Sequence, residues 1–257
     1  MQMEGKVGVI TGAGRGLGLE VLRAVTAEGA RVVVFERDEA TGREAAAEIG
    51  EAGGTAVFHH GDVTREEDIV AAIARARDEL GGFDFIHNNA GIQIERPLHE
   101  TTNEDWERIN AVNLRGVFWG CKHAVLAMRE TGGGSIVNGA SVLSVSGDPF
   151  LPAYTATKHG VLGLTRAIAA DPAYAAAGIR CNCVCPGDME TPMIAQYFAA
   201  TPDPAAARRE MESCYPAKRI GQPAEVAQVV LFLASDASSF VNGAAFVADG
   251  GLTAKPY

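Results

Sequence analysis

Short apolar runs alternate along the chain with longer stretches in which apolar residues recur at helical spacing. The apolar runs predict buried strands at residues 6–11, 31–35, 55–60, 83–87, 135–140, 179–185 and 244–247. The stretches between them predict helices, and strands that alternate with helices require a parallel sheet with right-handed crossovers. The pattern therefore predicts an α/β fold, with a doubly wound parallel sheet of about seven strands and helices on both faces, in three αβα layers.

The helix predicted over residues 104–129 carries two asparagines, which are poor helix formers because they compete for backbone hydrogen bonds. Asn113 lies in the mostly apolar run VNLRGVFW, so we expect it to be buried at a local kink that holds a bound water. Asn110 is expected to be solvated, and Phe118 and Trp119 are expected to lie in the core.

The alternation continues without a second domain, an internal repeat or a low-complexity linker, so we expect one domain over residues 1–257. One segment differs from the rest. Residues 188–215 are polar and alanine-rich, and they contain Pro192, Pro202 and Pro204. We interpret this segment as a helical lid over the functional site, because functional residues concentrate on such connections.

The net charge of −10 and the pI of about 5.1 argue against a nucleic-acid partner, which favours a basic face. No apolar run reaches the roughly 18 residues of a membrane helix, and no secretory signal is visible, so we expect no membrane contact. Five cysteines, an odd number without a paired framework, favour reduced thiols and a cytoplasmic location.

Three of the cysteines, Cys181, Cys183 and Cys185, alternate along one predicted strand, so their side chains share one face. Three thiols raise the hypothesis of a zinc site, but structural zinc sites usually have two-residue gaps in turns and a fourth ligand. Cysteine also packs like a small apolar residue. We therefore predict core packing for these cysteines and no metal site.

A glycine-rich turn, TGAGRGLG, follows the first predicted strand and precedes the first helix. Its glycines, Gly12, Gly16 and Gly18, permit a tight turn and a close approach of the backbone to a pyrophosphate. The helix that follows presents free N–H groups and the positive end of its dipole to the phosphates. This turn predicts a dinucleotide site.

Glu36 ends the second predicted strand, roughly 20 residues after the glycines, where an acidic residue accepts hydrogen bonds from a ribose diol and repels a 2′-phosphate. Glu36 therefore favours NAD. Arg37 and Arg15 lie close by in the sequence, and both are able to attract a 2′-phosphate or to remain solvated. NADP stays open as an alternative cofactor.

The carboxyl ends of several predicted strands carry polar residues, namely Glu36, Asp62 and Asn89. Ligands of such sheets bind at this edge. The next candidates for chemistry are Tyr154 and Lys158, which lie one helical turn apart on one face of a predicted helix. A fixed ammonium favours the phenolate, so we expect Lys158 to lower the pKa of Tyr154 and to make it a proton donor or acceptor.

Together these motifs resemble those of the short-chain dehydrogenase/reductase family, in its single-domain branch. The similarity covers nearly the whole chain and rests on the glycine turn, on Asn88-Asn89-Ala90-Gly91, on Pro186-Gly187 with Thr191, and on four residues in the order and spacing of the family's catalytic tetrad: Asn113, Ser141, Tyr154 and Lys158. The resemblance implies a Rossmann-type fold.

It also implies a role for each member of the tetrad. Tyr154 would be the general acid/base that moves the substrate's hydroxyl proton, and Ser141 would hydrogen-bond the same oxygen. Lys158 would hold the nicotinamide ribose and lower the pKa of Tyr154, and Asn113 would anchor a water. Ser144 and Ser146 are rivals of Ser141, but the spacing to Tyr154 favours Ser141.

The remaining site residues follow from the same resemblance. Those expected to bind the cofactor are Gly12, Arg15, Gly16, Leu17, Gly18, Glu36, Arg37, Asp62, Val63, Asn89, Ala90, Gly91, Tyr154, Lys158, Pro186, Gly187, Met189 and Thr191. Those expected to meet the substrate are Gln93, Ser141, Leu143, Phe150, Tyr154 and Met189. Because the candidate pocket residues are mainly apolar, we expect a small cyclic or hydrophobic substrate.

The expected function is an NAD(P)(H)-dependent oxidoreductase, NAD-preferring, that interconverts a secondary alcohol and a ketone. Two alternatives remain at this point: an NADPH-dependent carbonyl reductase, and a non-catalytic dinucleotide-sensing protein on the same fold. The resemblance also implies a homotetramer, packed through the long helices and the C-terminal strand, with the tail at residues 251–257 joining the contact.

Overall fold

The computed structural model describes residues 1–254. Seven strands in this part of the chain form one fully parallel sheet in the order β3-β2-β1-β4-β5-β6-β7. The strands are β1 Val7–Thr11, β2 Arg31–Glu36, β3 Thr55–His60, β4 Phe85–Asn88, β5 Gly134–Gly139, β6 Ile179–Pro186 and β7 Ala245–Ala248. The order changes direction at β1, where β2 and β4 lie on its two sides. The predicted fold class is confirmed, and its switch point lies between β1 and β4.

Ten α-helices connect and cover the strands of the described chain. They are α1 Gly16–Ala27, α2 Glu39–Glu51, α3 Glu66–Leu80, α4 Asn103–Asn110, α5 Gly116–Thr131, α6 Pro152–Ala169, α7 Pro172–Ala176, α8 Pro192–Ala200, α9 Pro204–Cys214 and α10 Pro223–Ala234. The last five begin with proline, whose fixed φ and missing N–H suit the first helical turn.

The sheet is buried on both faces. Apolar side chains of α3, α5 and α6 cover one face, and those of α1, α2 and α10 cover the other. Cys181, Cys183 and Cys185 all point into the first of these two layers and are fully buried. Their predicted core packing is confirmed.

The helix predicted over residues 104–129 is broken at Asn113. A wider π-helical turn, Ala111–Arg115, separates α4 from α5, and Asn113 is fully buried within it. Such turns are rare and often mark functional sites. The break places the Asn113 side chain against the segment after β4 rather than along the helix surface.

Phe118 does not lie in the core as predicted, since it is 49% exposed, whereas Trp119 is half-buried beneath the Arg115 guanidinium. Successive residues of an α-helix point in directions about 100° apart. Val117 and Cys121 occupy the inward face of α5, so Phe118 is left outside.

The segment interpreted as a lid contains α8 and α9, which enclose a small apolar cluster of Ile194, Phe198, Tyr215 and Ile220. Arg208 of α9 forms ion pairs with Glu190 and Glu212. A lid role for this segment stays a prediction. None of the helices in residues 1–254 is long and apolar enough to span a bilayer, and the tail contact expected at residues 251–257 falls partly outside the described residues.

Candidate active site

The ends of β1 and β4 are joined by hydrogen bonds at the switch point of the sheet. The Thr11 hydroxyl accepts from the backbone N–H groups of Asn89 and Ala90, each at 3.0 Å. The Asn89 side chain donates to the backbone oxygens of Thr11 and Gly12, also at 3.0 Å. Asn89, predicted to bind the cofactor, thus also fixes the glycine turn.

The glycine turn fits the pyrophosphate of a dinucleotide. Gly12 and Gly16 have φ values of 64° and 57°, which side-chain-bearing residues rarely adopt. A Cβ on Gly18 would lie 2.1 Å from the Gly12 oxygen. The N-terminus of α1 has no acidic side chain in its first turn and no side-chain cap, so its N–H groups remain available to an anion.

Residues distant in sequence border this turn. A Cβ on Gly16 would meet Thr191 and the ring of Pro192 at 3.6–3.8 Å, so the base of α8 closes over the glycines. Arg15 is exposed at the start of α1, and Leu17 packs against the α1/α10 layer. Thr191 is thereby brought to the predicted phosphate site, whereas Leu17 contributes its side chain to the core.

The Glu36 carboxylate is held at the end of β2 by three backbone N–H groups. Oε1 accepts from Arg37 at 2.9 Å and from Asp38 at 3.1 Å, and Oε2 accepts from Gly14 at 3.1 Å. Arg37 is exposed, and its guanidinium lies 3.9 Å from the Asp62 carboxylate. An anion is therefore fixed beside the glycine turn, and Arg37, the residue after Glu36, faces another anion.

Asp62 and Val63, which follow β3, have different surroundings. Asp62 Oδ1 accepts from the backbone and hydroxyl of Thr64, at 2.9 Å and 2.8 Å. The Val63 side chain is buried in the layer beneath α5, against Gly116. The cofactor contact expected of Val63 stays a prediction.

Ser141, Tyr154 and Lys158 meet at the carboxyl end of β5. Ser141 is buried two residues beyond the strand, and its hydroxyl accepts from the Leu143 N–H at 3.1 Å. Lys158 is buried on α6, where Nζ donates to the Gly139 oxygen at 2.7 Å and lies 5.4 Å from the centroid of the Tyr154 ring. The predicted groups are brought together in one place.

The pKa values of this group differ from the expectation. Burial raises the pKa of Tyr154 to about 12; the Ser141 hydroxyl opposes this rise, and the charge of Asp188 adds to it. Burial also lowers the pKa of Lys158 to about 8. The expected lowering of the Tyr154 pKa is wrong for the protein alone, because desolvation of the phenol outweighs the opposing hydrogen bond of Ser141. The Lys158 ammonium lies over the ring and is bound to the Gly139 oxygen.

Asn113 holds the segment after β4 with two bonds. Its Oδ1 accepts from the Ile92 N–H and its Nδ2 donates to the Ile92 oxygen, both at 2.8 Å. A Cβ on Gly91 would lie 3.5 Å from Asn113 Oδ1 and 3.8 Å from Lys158 Nζ. Gly91 therefore lies within van der Waals reach of both side chains, and the water-anchoring role of Asn113 stays a prediction.

The rival serines are engaged elsewhere. The Ser144 hydroxyl donates to the Lys158 backbone oxygen at 2.8 Å and accepts from the Ser141 N–H at 3.2 Å. The Ser146 hydroxyl donates to the Val142 oxygen at 2.8 Å. Of the three, Ser141 is the one whose side chain lowers the pKa of Tyr154, which supports its selection.

The predicted substrate residues lie around this group with unequal exposure. Gln93 and Leu143 are half-buried, and Phe150 is 55% exposed, with its backbone oxygen bonded by the Arg96 N–H at 2.8 Å. Met189 packs its side chain against the α1/α10 layer and pairs with Gly221. The side chain of Met189 therefore contributes to this layer, and its predicted contact with the substrate stays a prediction.

Two residues beside the Pro186-Gly187 motif, Asp188 and Tyr215, were not singled out from the sequence. Pro186 is buried at the end of β6, and Gly187 lies close against Tyr215, whose hydroxyl would be 2.8 Å from a Cβ at that position. Tyr215 donates to Asp188 Oδ2 at 2.9 Å and accepts from the Asp188 N–H at 2.6 Å. Asp188 follows a motif glycine, but nothing in the sequence indicated that Tyr215, 27 residues later, would bind it.

Histidine, cysteine and carboxylate side chains do not gather in threes suited to a metal ion anywhere in residues 1–254. The hydrogen-bonding and ionisable groups of the site comprise an anion-binding turn, a fixed carboxylate, and a tyrosine between a serine hydroxyl and a buried lysine. This combination suits binding of a dinucleotide and transfer of a proton beside it.

Comparison with known proteins agrees with this description. Residues 12–253 match the sequence profile of a family described as enoyl-(acyl carrier protein) reductase. The 2-(S)-hydroxypropyl-CoM dehydrogenase 3 of Xanthobacter autotrophicus is 39% identical over 254 residues, covering 98% of both chains. The cyclohexanol dehydrogenase of an Acinetobacter species is 40% identical over 251 residues, covering 97% of this chain and 96% of that protein.

Among solved structures, levodione reductase superposes with a TM-score of 0.94 at 34% identity, covering 99% of this chain and 100% of that one. The similarity thus extends over the whole sheet and over the segments that carry the site. On the match of the family profile and of these full-length relatives, the chain belongs to the short-chain dehydrogenase/reductase family.

Proposed function

We propose that the protein is an NAD-preferring dehydrogenase that interconverts a small, cyclic or hydrophobic secondary alcohol and the corresponding ketone. The observation that carries this proposal is the meeting of Tyr154 with Ser141 and Lys158 beside the glycine turn. The oxidoreductase class agrees with the family and with relatives named for dehydrogenation of cyclohexanol and of 2-hydroxypropyl-CoM.

In this proposal Tyr154 Oη takes the substrate's hydroxyl proton during oxidation and returns it during reduction. The Ser141 hydroxyl donates to the same substrate oxygen and stabilises the charge that develops on it. When bound, an oxidised nicotinamide supplies a hydride acceptor and a positive charge. Lys158 keeps a second positive charge near the phenol, and Asn113 holds the segment that borders the lysine.

The ionisation state of Tyr154 decides whether its side chain donates or accepts a proton. With a pKa of about 12 the phenol of the protein alone is protonated near neutral pH, which suits a proton donor. Oxidation requires the phenolate, which added positive charge in the site favours. We therefore expect the rate of oxidation to rise with pH and the rate of reduction to fall.

The NAD preference is supported by Glu36. Its carboxylate is fixed by three backbone donors, so it is available to a ribose diol and repels a 2′-phosphate. The Glu36→Gln variant should raise kcat/KM for NADP relative to NAD by about tenfold or more, since like charges in contact cost several kcal/mol. An unchanged cofactor ratio would remove Glu36 as the selecting residue without affecting the proposed reaction.

The direct test of the reaction is Tyr154→Phe, with Tyr174→Phe as a matched control on α7. Oxidation of cyclohexanol and reduction of cyclohexanone are followed by nicotinamide absorbance with each cofactor. Loss of general acid/base catalysis should lower kcat by about 10²–10⁴-fold in Tyr154→Phe, and the control should retain activity. If Tyr154→Phe turned over as fast as the wild type, the proton-transfer role would be refuted.

A further inference from the structure

Helices α8 and α9 are held to the rest of the domain by little apolar packing. α9 has no fully buried residue, and α8 buries only Ile194 and Phe198. By contrast, α10, which is of similar length, buries a whole apolar face against the sheet. Segments with few buried apolar contacts open most readily. Polar contacts therefore matter more for the position of α8 and α9 than for that of the other helices.

Arg208 on α9 supplies contacts of this kind. Its guanidinium binds the Glu190 carboxylate in a bidentate manner, with Nη1 donating to Oε1 and Nη2 donating to Oε2 at 2.9 Å. Nη1 also donates to Glu212 Oε1 at 3.3 Å, one turn further along α9. The guanidinium carbon lies 4.9 Å from the centroid of the Phe198 ring. Arg208 thus contacts a residue before α8, a residue near the end of α8, and its own helix.

Glu190 is itself anchored to the body of the domain. Its backbone N–H donates to the Gly221 oxygen at 2.9 Å, and the Gly221 N–H donates to the Asp188 oxygen at 2.9 Å. These bonds join residues 188–190 to the chain just before α10, which is part of the core. The ion pair of Arg208 with Glu190 therefore fastens α9 to the domain.

The residues after Glu190 border the glycine turn. Thr191 precedes α8, and its hydroxyl accepts from the Ile194 N–H at 3.4 Å. Atoms of Thr191 and Pro192 lie 3.6–3.8 Å from the position of a Cβ on Gly16. The start of α8 thus forms a wall beside the turn that fits a pyrophosphate. A shift of α8 would change the space available there.

Building on the proposed function, we propose that Arg208 is a positioning residue for the cofactor. By fastening α9 to Glu190 and Phe198, it holds α8 at the glycine turn and raises the affinity for the dinucleotide. A partly exposed ion pair contributes little to the stability of a fold, but a bidentate arginine fixes geometry. A site that is ordered before binding loses less entropy when the ligand arrives.

Isothermal titration calorimetry with NAD tests this role in Arg208→Met, in Glu190→Ala and in the double variant. Methionine retains an apolar stem like that of arginine but has no donor. The Kd should rise by about five- to tenfold in each single variant, and the double variant should be no weaker, because all three lose the same contact. Arg208→Lys keeps the charge without the bidentate geometry, so its Kd should be intermediate.

Two variants serve as matched controls. Arg209→Met changes the next residue of α9, which is exposed, and it alters the net charge equally. Arg219→Met breaks another bidentate pair, with Glu225 of α10. Both should bind NAD like the wild type. Without NAD, the Tm of Arg208→Met should match that of Arg219→Met. At one fixed NAD concentration, the rise in Tm should be smaller in Arg208→Met, because a more weakly bound ligand stabilises less.

Three results would overturn the role of Arg208. They are an unchanged Kd in Arg208→Met, an equal rise of Kd in Arg209→Met, and additive losses in the double variant. Binding is measured without turnover, so a wild type that bound NAD but oxidised no alcohol would refute the proposed reaction while the Kd values still decided the role of Arg208. A wild type that bound neither NAD nor NADP would refute both.

Discussion

His87 is a buried, neutral group whose titration should limit folding at acid pH. It lies on β4 with no exposed surface, and its Nδ1 donates to the Val137 oxygen at 3.0 Å. No protein group in residues 1–254 bonds Nε2, so a proton placed there would have no acceptor. Burial lowers the pKa of His87 from 6.5 to about 4, and the charge of Lys158 acts in the same direction.

The sign and size of the effect follow from these two values. Between pH 6.5 and 4 the unfolded chain binds a proton at this position and the folded protein does not, so the free energy of unfolding falls as the pH falls. The full difference is about 3 kcal/mol, from 1.36 kcal/mol per pKa unit, and about 2 kcal/mol is already lost at pH 5. Above pH 6.5, the pKa of the unfolded chain, His87 no longer contributes to the pH dependence of the free energy of unfolding.

His87→Val removes the titrating group, and valine suits a buried strand. Equilibrium urea unfolding of both proteins at neutral pH and at pH 5 isolates the effect, because all other titrating groups cancel in the difference. The free energy of unfolding of the variant relative to the wild type should rise by about 2 kcal/mol on acidification. The exposed His99→Asn change should give no such rise, and parallel pH dependences of His87→Val and the wild type would refute the reasoning.

Two further predictions concern the glycine turn and the serines. Gly18→Ala places a Cβ 2.1 Å from the Gly12 oxygen, so it should abolish NAD binding or lower Tm by several degrees. The control Gly50→Ala has open space around the new Cβ, so NAD binding should be unchanged and Tm equal or higher. Fluorescence titration measures the binding of NAD, and thermal unfolding measures Tm. Ser141→Ala should lower kcat by about 10²-fold, because it removes a donor to the reacting oxygen. Ser144→Ala should instead cost about 1–3 kcal/mol in urea unfolding, since its buried hydroxyl joins two backbone groups, and equal kcat losses in the two variants would contradict this division.

Local sequence was sufficient for the architecture because strand and helix periodicities are properties of neighbouring residues. The seven predicted strands and the order of helices are present with shifts of a residue or two at their ends. The chemistry-bearing residues were also predictable as a group, since the carboxyl ends of parallel strands share one edge. Their individual catalytic and binding roles remain predictions.

Features that depend on three-dimensional packing were not accessible in this way. Phe118 and Trp119 are equally hydrophobic, and only the docking of α5 decides that Phe118 is exposed. The pKa of Tyr154 rises because its phenol is desolvated, which the helical spacing to Lys158 does not reveal. The bond from Tyr215 to Asp188 joins the residue after α9 to the segment after β6, 27 residues away in the chain.

The sequence by itself thus determined the α/β fold and the position of a dinucleotide turn beside a Tyr-Lys pair. Each of these depends on spacings of a few residues and on the rule that parallel strands end together. The tertiary structure decided the ionisation of Tyr154 and Lys158 and the hydrogen bond between Tyr215 and Asp188. These depend on desolvation and on charges brought close by the fold, which are set by distances between residues far apart in the chain.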